Sequence, residues 1–79
     1  MKVKIYVTLK RTVLDPQGKA VLHALREVGF KSVTDTRVGR FIELDIKGTD
    51  KKSVEKQVHQ MCDKLLANPV IEEYSFEIE

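Results

Sequence analysis

The chain has 79 residues, 42% of them hydrophobic and 33% charged, with a formal net charge of +2. That length allows a single domain, near the size at which one core is only marginally stable, and the composition is that of a globular chain. So small a net charge gives no argument for nucleic acid, and no apolar run reaches membrane-spanning length. No charged-then-apolar leader opens the sequence, so a cytoplasmic protein is expected. The single cysteine, Cys62, cannot form an internal disulfide, which agrees with a reducing compartment. Without disulfides or a metal-binding cysteine pair, a chain this small often gains stability by oligomerising.

Val3, Ile5, Val7 and Leu9 alternate with Lys2, Lys4, Tyr6, Thr8 and Lys10, the period of two that marks a half-buried strand. Asp15-Pro16 then reads as a helix cap followed by proline at the first helical position, where a missing N–H costs nothing. Gly18 inside that first turn costs roughly 0.5–1 kcal/mol against alanine. A close backbone approach by another element, another chain or a ligand would favour it. Val21, Leu25 and Val28, with Leu22 beside them, share one helical face. Gly29 suits the left-handed residue that ends a helix, with Phe30 folding back on Leu25. The first helix is therefore expected over Pro16–Val28.

Two strand-like runs follow, Ser32–Val38 and Arg40–Lys47, separated by Gly39, which reads as a turn or bulge of positive φ. Val33 and Val38 fall on opposite faces of a regular strand, so the first run needs a bulge or a late start. In the second, Ile42, Leu44 and Ile46 face one way, and Phe41, Glu43 and Asp45 the other. Thr49-Asp50 caps a second helix whose apolar stripe is Val54, Val58, Met61, Cys62 and Leu65, and Asn68-Pro69 stops it. The last strand sets Tyr74, Phe76 and Ile78 against Glu73, Ser75, Glu77 and Glu79. The order β-α-β-β-α-β predicts an α+β fold over residues 1–79: two helices on one face of a four-stranded antiparallel sheet, ferredoxin-like or a close variant. The open face, with Tyr6, Thr8, Phe41 and Glu43, would serve self-association or ligand contact.

A catalytic constellation is hard to find. His23 and His59 are isolated on helices and lack metal-ligand spacing. Cys62 lies on an apolar stripe and reads as a buried structural thiol. Glu72-Glu73 read as solvated edge charges without an acid–base partner. There is no P-loop, no dinucleotide-binding glycine motif and no RNA-binding aromatic signature. Two basic spots remain: Lys10-Arg11 before the Asp-Pro-Gln-Gly turn, and Arg37-Val38-Gly39-Arg40. Together they could bind a phosphate or a partner's carboxylates. Charge is also segregated along the chain. Residues 1–40 hold nine Lys/Arg against three Asp/Glu, and residues 41–79 hold five against nine, a polarity that favours a charged partner or a second copy.

The segments Tyr6–Lys10, Val13-Leu14-Asp15-Pro16-Gln17-Gly18-Lys19-Ala20, Arg37–Arg40 and Met61–Glu72, read end to end, resemble the PurS family, the small subunit of phosphoribosylformylglycinamidine synthase in de novo purine synthesis. Arg40 stands where lysine is equally expected. The resemblance implies an adaptor with no catalytic residues, no cofactor and no metal of its own. A large synthetase subunit would use ATP and magnesium to activate the amide oxygen of formylglycinamide ribonucleotide, and a glutaminase subunit would supply ammonia. The small subunit would join the two and form a homodimer or homotetramer, without nucleic-acid or membrane partners. Lys10, Asp15, Pro16, Gln17, Gly18, Arg37, Gly39 and Arg40 are the candidate partner contacts. On that reading, Gly18→Leu leaves the isolated chain folded and weakens the complex.

Three other readings share the scaffold. A small-molecule-binding regulatory domain of ACT type would place its ligand at the turn Asp15–Gly18, and would respond to amino acids or nucleotides in a thermal-shift screen. An acylphosphatase-type enzyme needs an arginine in a glycine-rich first loop and an asparagine in the second helix, which residues 10–18 and 50–66 do not supply. An RNA-binding sheet would have only Tyr6 and Phe41 for stacking.

Overall fold

In a computed structural model describing residues Met1–Glu79, β1 (Lys2–Leu9) lies between β2 (Arg40–Asp45) and β3 (Glu72–Ile78) in an antiparallel sheet. The central place of β1 follows from its residues. Val3, Ile5 and Val7 are fully buried, whereas Ile42 and Leu44 of β2 and Tyr74, Phe76 and Ile78 of β3 are half-buried at the sheet edges. The register sets Val3 against Leu44 and Ile78, and Ile5 against Ile42 and Phe76. One face is therefore continuously apolar. On the other, Tyr6 packs on Phe41 with ring centroids 5.3 Å apart, and Lys4 stands opposite Glu43 and Glu77, favourable cross-strand pairs.

α2 (Lys51–Met61) covers the apolar face. Asp50 caps it by accepting from the Lys52 N–H at 3.2 Å, and Val54 and Val58 drop onto the sheet with Cys62 and Ala67. From Cys62 to Leu66 the helix widens into a π turn, closed by the Ala67 N–H donating to the Cys62 carbonyl at 3.0 Å. The wider turn rotates later side chains away from the 3.6-residue stripe. Leu65, expected on the core face, is 83% exposed, and Leu66 and Ala67 pack inward instead.

Two expectations need correction. The sheet has three strands, not four: Arg40–Asp45 forms a strand, but Ser32–Val38 does not. The Val38 N–H that would join a ladder donates instead to the Asp15 carboxylate at 2.9 Å, and Gly39 presses against the Val7 carbonyl. Gly39 is thus needed for close approach and not for a positive φ, which is confined to Gly29 and Gly48. The second correction concerns the helices. α1 (Pro16–Glu27) buries only Gly18, and Val21, Val28 and Phe30 are exposed. Only α2 lies on the sheet. The molecule is consequently long, 48 × 25 × 14 Å, with a radius of gyration of 15.8 Å, against about 12 Å for a compact chain of this length.

Candidate functional site

The end of β1, the start of α1 and the segment before β2 meet in one knot. Asp15 is its centre. One carboxylate oxygen accepts from the Gly18 N–H at 3.0 Å and caps α1, while the other accepts from the Val38 N–H at 2.9 Å. Arg37 completes the closure from the far side, its Nη2 donating to the carbonyls of Leu9 and Lys10, both at 2.9 Å. Lys10 in turn donates its N–H to the Ile71 carbonyl, next to β3. A Cβ on Gly18 would overlap the Thr36 carbonyl oxygen and the Asp15 carboxylate. That is the close approach the sequence called for, and the approaching group is the chain's own backbone. The expectation that Gly18→Leu leaves the isolated chain folded is therefore withdrawn.

Arg40 makes a second tie. Its guanidinium donates to the Leu66 carbonyl at 2.8 Å and to both Glu72 oxygens, at 3.0 and 2.9 Å. Glu72 also accepts from the Asn68 N–H at 2.7 Å. It is a structural brace between the π turn and β3, not the solvated edge charge its sequence neighbourhood suggests. Nothing local reveals this, because Arg40 lies 32 residues away. Between the two ties lies a cleft of about 240 Å³, lined in part by Asp15, Pro16, Gln17, Gly39, Arg40 and Glu72. Five of the eight candidate contact residues thus share one cleft, and Lys10, Gly18 and Arg37 form the frame behind it.

These ties act on the two carboxylates of the cleft. Asp15 is held below the ordinary carboxylate range by the Val38 N–H first and the Gly18 N–H second, and Glu72 by the Asn68 N–H and then Arg40. Both carboxylates favour the folded state once ionised. Their contribution is present above their unfolded values, near pH 4, and is lost as pH falls through the lower folded values. The melting temperature is expected to fall on acidification below about pH 4, and Asp15→Asn with Glu72→Gln should flatten that slope. An unchanged slope in the double variant would contradict this assignment.

Cys62 is wholly buried and burial pushes its thiol up, so it is an inert core residue. His23 pairs with Glu27 at 3.0 Å on the surface of α1. His59 contacts the Tyr74 hydroxyl through Nδ1 at 2.9 Å, and that hydroxyl donates to Asp63 at 3.2 Å. Burial, followed by Asp63, raises the Tyr74 phenol. The His59–Tyr74–Asp63 chain, which sequence spacing did not reveal, fastens α2 to β3.

Every carboxylate in the cleft is engaged by the chain's own donors, and no acid, base or nucleophile is left aimed at a substrate position. Fold and site together define a small α+β domain whose cleft is built on a three-stranded antiparallel sheet. The PurS model, described as phosphoribosylformylglycinamidine (FGAM) synthase, matches residues 2–79, and the chain belongs to the PurS family. It is 51% identical to the Bacillus subtilis phosphoribosylformylglycinamidine synthase subunit PurS over 78 residues, which is 99% of this chain and 92% of that protein. It superposes with a TM-score of 0.87 on the crystal structure of Methanocaldococcus jannaschii PurS, at 36% identity, covering 99% of this chain and 94% of that one. A chain in the structure of PurLQS from Thermotoga maritima matches with a TM-score of 0.88 and 34% identity, covering 96% and 93% respectively.

Proposed function

We propose that this chain is the small, non-catalytic adaptor subunit of phosphoribosylformylglycinamidine synthase, acting in the cytoplasm in de novo purine synthesis. The observation that carries the reading is a full-length family match with a structural neighbour inside a PurLQS assembly. In the complex, ATP and magnesium serve the large synthetase subunit, which activates the amide oxygen of formylglycinamide ribonucleotide. The glutaminase subunit releases the ammonia that attacks it. This chain holds the two together and binds no cofactor of its own. It acts as a homo-oligomer, and its fold is a ferredoxin-like relative in which residues 32–38 form a tether instead of a strand.

Within this reading, the cleft beside Asp15 and Arg40 is the partner contact. Gln17 and Arg40 present exposed side chains at its rim, and the knot beneath holds them in fixed positions. Co-elution tests the reading: the three subunits, mixed with glutamine, magnesium and ATP or ADP, are expected to run as one species in size-exclusion chromatography. Gln17→Arg, a surface change, should leave the chain folded and weaken that co-elution. Separate elution of the wild-type chain would overturn the proposal.

A further inference from the structure

α1 has two faces, and only one of them is apolar. At about 100° of rotation per residue, Lys19, His23 and Arg26 fall on the side opposite Val21, Leu25 and Val28. The basic side therefore stays open whatever covers the apolar stripe. It is also concave. Between α1 and the segment before β2 lies a cleft of about 360 Å³, lined by Lys19, Leu22, His23, Arg26, Asp35 and Thr36. That volume is in the range of small-molecule sites, roughly 300–1,000 Å³. Lys19 and Arg26 take part in none of the chain's ion pairs. Arg26 is nonetheless held in place: its Nε and Nη2 donate to the Val33 carbonyl at 3.4 and 3.2 Å, which leaves Nη1 free. One Asp35 oxygen accepts from the Thr36 N–H at 2.9 Å, and the other has no partner.

We propose that this cleft binds the phosphate monoester of a small, hydroxyl-bearing molecule, with the phosphate on Lys19 and Arg26 and a hydroxyl on Asp35. Two free cations suit a phosphate monoester, which carries about −1.5 to −2 at neutral pH, better than a monovalent carboxylate. Ammonium and guanidinium groups are also its strongest side-chain donors. An ionised Asp35 accepts hydrogen bonds and donates none, so it selects a ligand that brings its own hydroxyl. The same charge disfavours bare phosphate, which offers Asp35 only repulsion. The adaptor reading needs no ligand on this chain, so the site goes beyond it, and no step of the reaction passes through this cleft.

Glycerol phosphate, inorganic phosphate and glycerol, each titrated into the full chain and followed through its amide NMR signals, test this. Glycerol phosphate is expected to shift the amides of residues 19–36 saturably. Inorganic phosphate should bind more weakly at the same place, and glycerol not at all. Lys19→Gln should weaken glycerol phosphate roughly threefold, the loss expected for one exposed ion pair. Asp35→Ala should weaken glycerol phosphate and tighten inorganic phosphate, a reversal that a general surface-charge effect does not produce. Both side chains are exposed, so both variants keep the fold, as circular dichroism would verify. Shifts that do not saturate, that gather instead at Lys10 and Arg11, or that Lys19→Gln leaves unchanged would overturn the site. Inorganic phosphate binding as tightly as the ester, or an Asp35→Ala change that affects both ligands alike, would overturn the hydroxyl contact.

Discussion

Gly18→Leu is expected to destabilise the isolated chain by about 3–5 kcal/mol, lowering its Tm by about 12 °C or more. The new Cβ would overlap the Thr36 carbonyl and the Asp15 carboxylate, and backbone cannot move aside as a flexible side-chain tip can. Overpacking of this kind costs about 1–3 kcal/mol. Pushing Asp15 away also removes the α1 cap, at about 1 kcal/mol, and leaves the Val38 N–H without its acceptor, at about 1 kcal/mol more. A chain of this size has a total stability of roughly 4–12 kcal/mol, so the loss is a large share of it. Gly18→Ala should fall between the two. A Leu variant that melts with the wild type would show that the knot yields without cost.

The knot shows where the sequence was legible and where it was not. The caps at Asp15 and Asp50, the proline at the first helical position and the alternation in β1, β2 and β3 are local signals, and the structure uses each as the local chemistry suggests. Gly18 was legible as a close approach, but the approaching group was not, because Thr36 reaches it through tertiary folding. Ser32–Val38 failed as a strand for the same reason: its backbone donor at Val38 has a side-chain partner 23 residues away. The exposure of Leu65 follows from a π turn that no residue between Cys62 and Leu66 announces. The stripe on α1 was correctly read as apolar. Periodicity identifies such a face without saying whose surface covers it, and here the chain's own sheet does not.

The candidate contacts divide in the same way. Arg37 and Gly39 were candidate contacts on the strength of the resemblance, and in this fold they fasten the segment before β2 to β1 and the residue that follows it. Such residues shape a contact surface by holding it rigid. Pro16, Gln17 and Arg40 line the cleft in front of them, so partner contact and structural support fall on neighbouring residues.

The largest functional effect is expected from leaving the chain out altogether. If it is an adaptor, it supplies no group to the reaction and acts by holding two catalytic subunits so that ammonia passes from one to the other. Positioning of that kind is worth roughly a hundredfold or more in rate, since small misplacements of reacting groups already cost about that much. Ammonia added to the solution bypasses the transfer, so it should bypass the need for the chain as well. The decisive measurement is therefore the rate of amidine formation by the large and glutaminase subunits with ATP and magnesium, with and without this chain, using glutamine or free ammonia as nitrogen donor. The account predicts that omission abolishes the glutamine-dependent rate and leaves the ammonia-dependent rate largely intact. Equal glutamine-dependent rates with and without the chain, or loss of the ammonia-dependent rate as well, would contradict it.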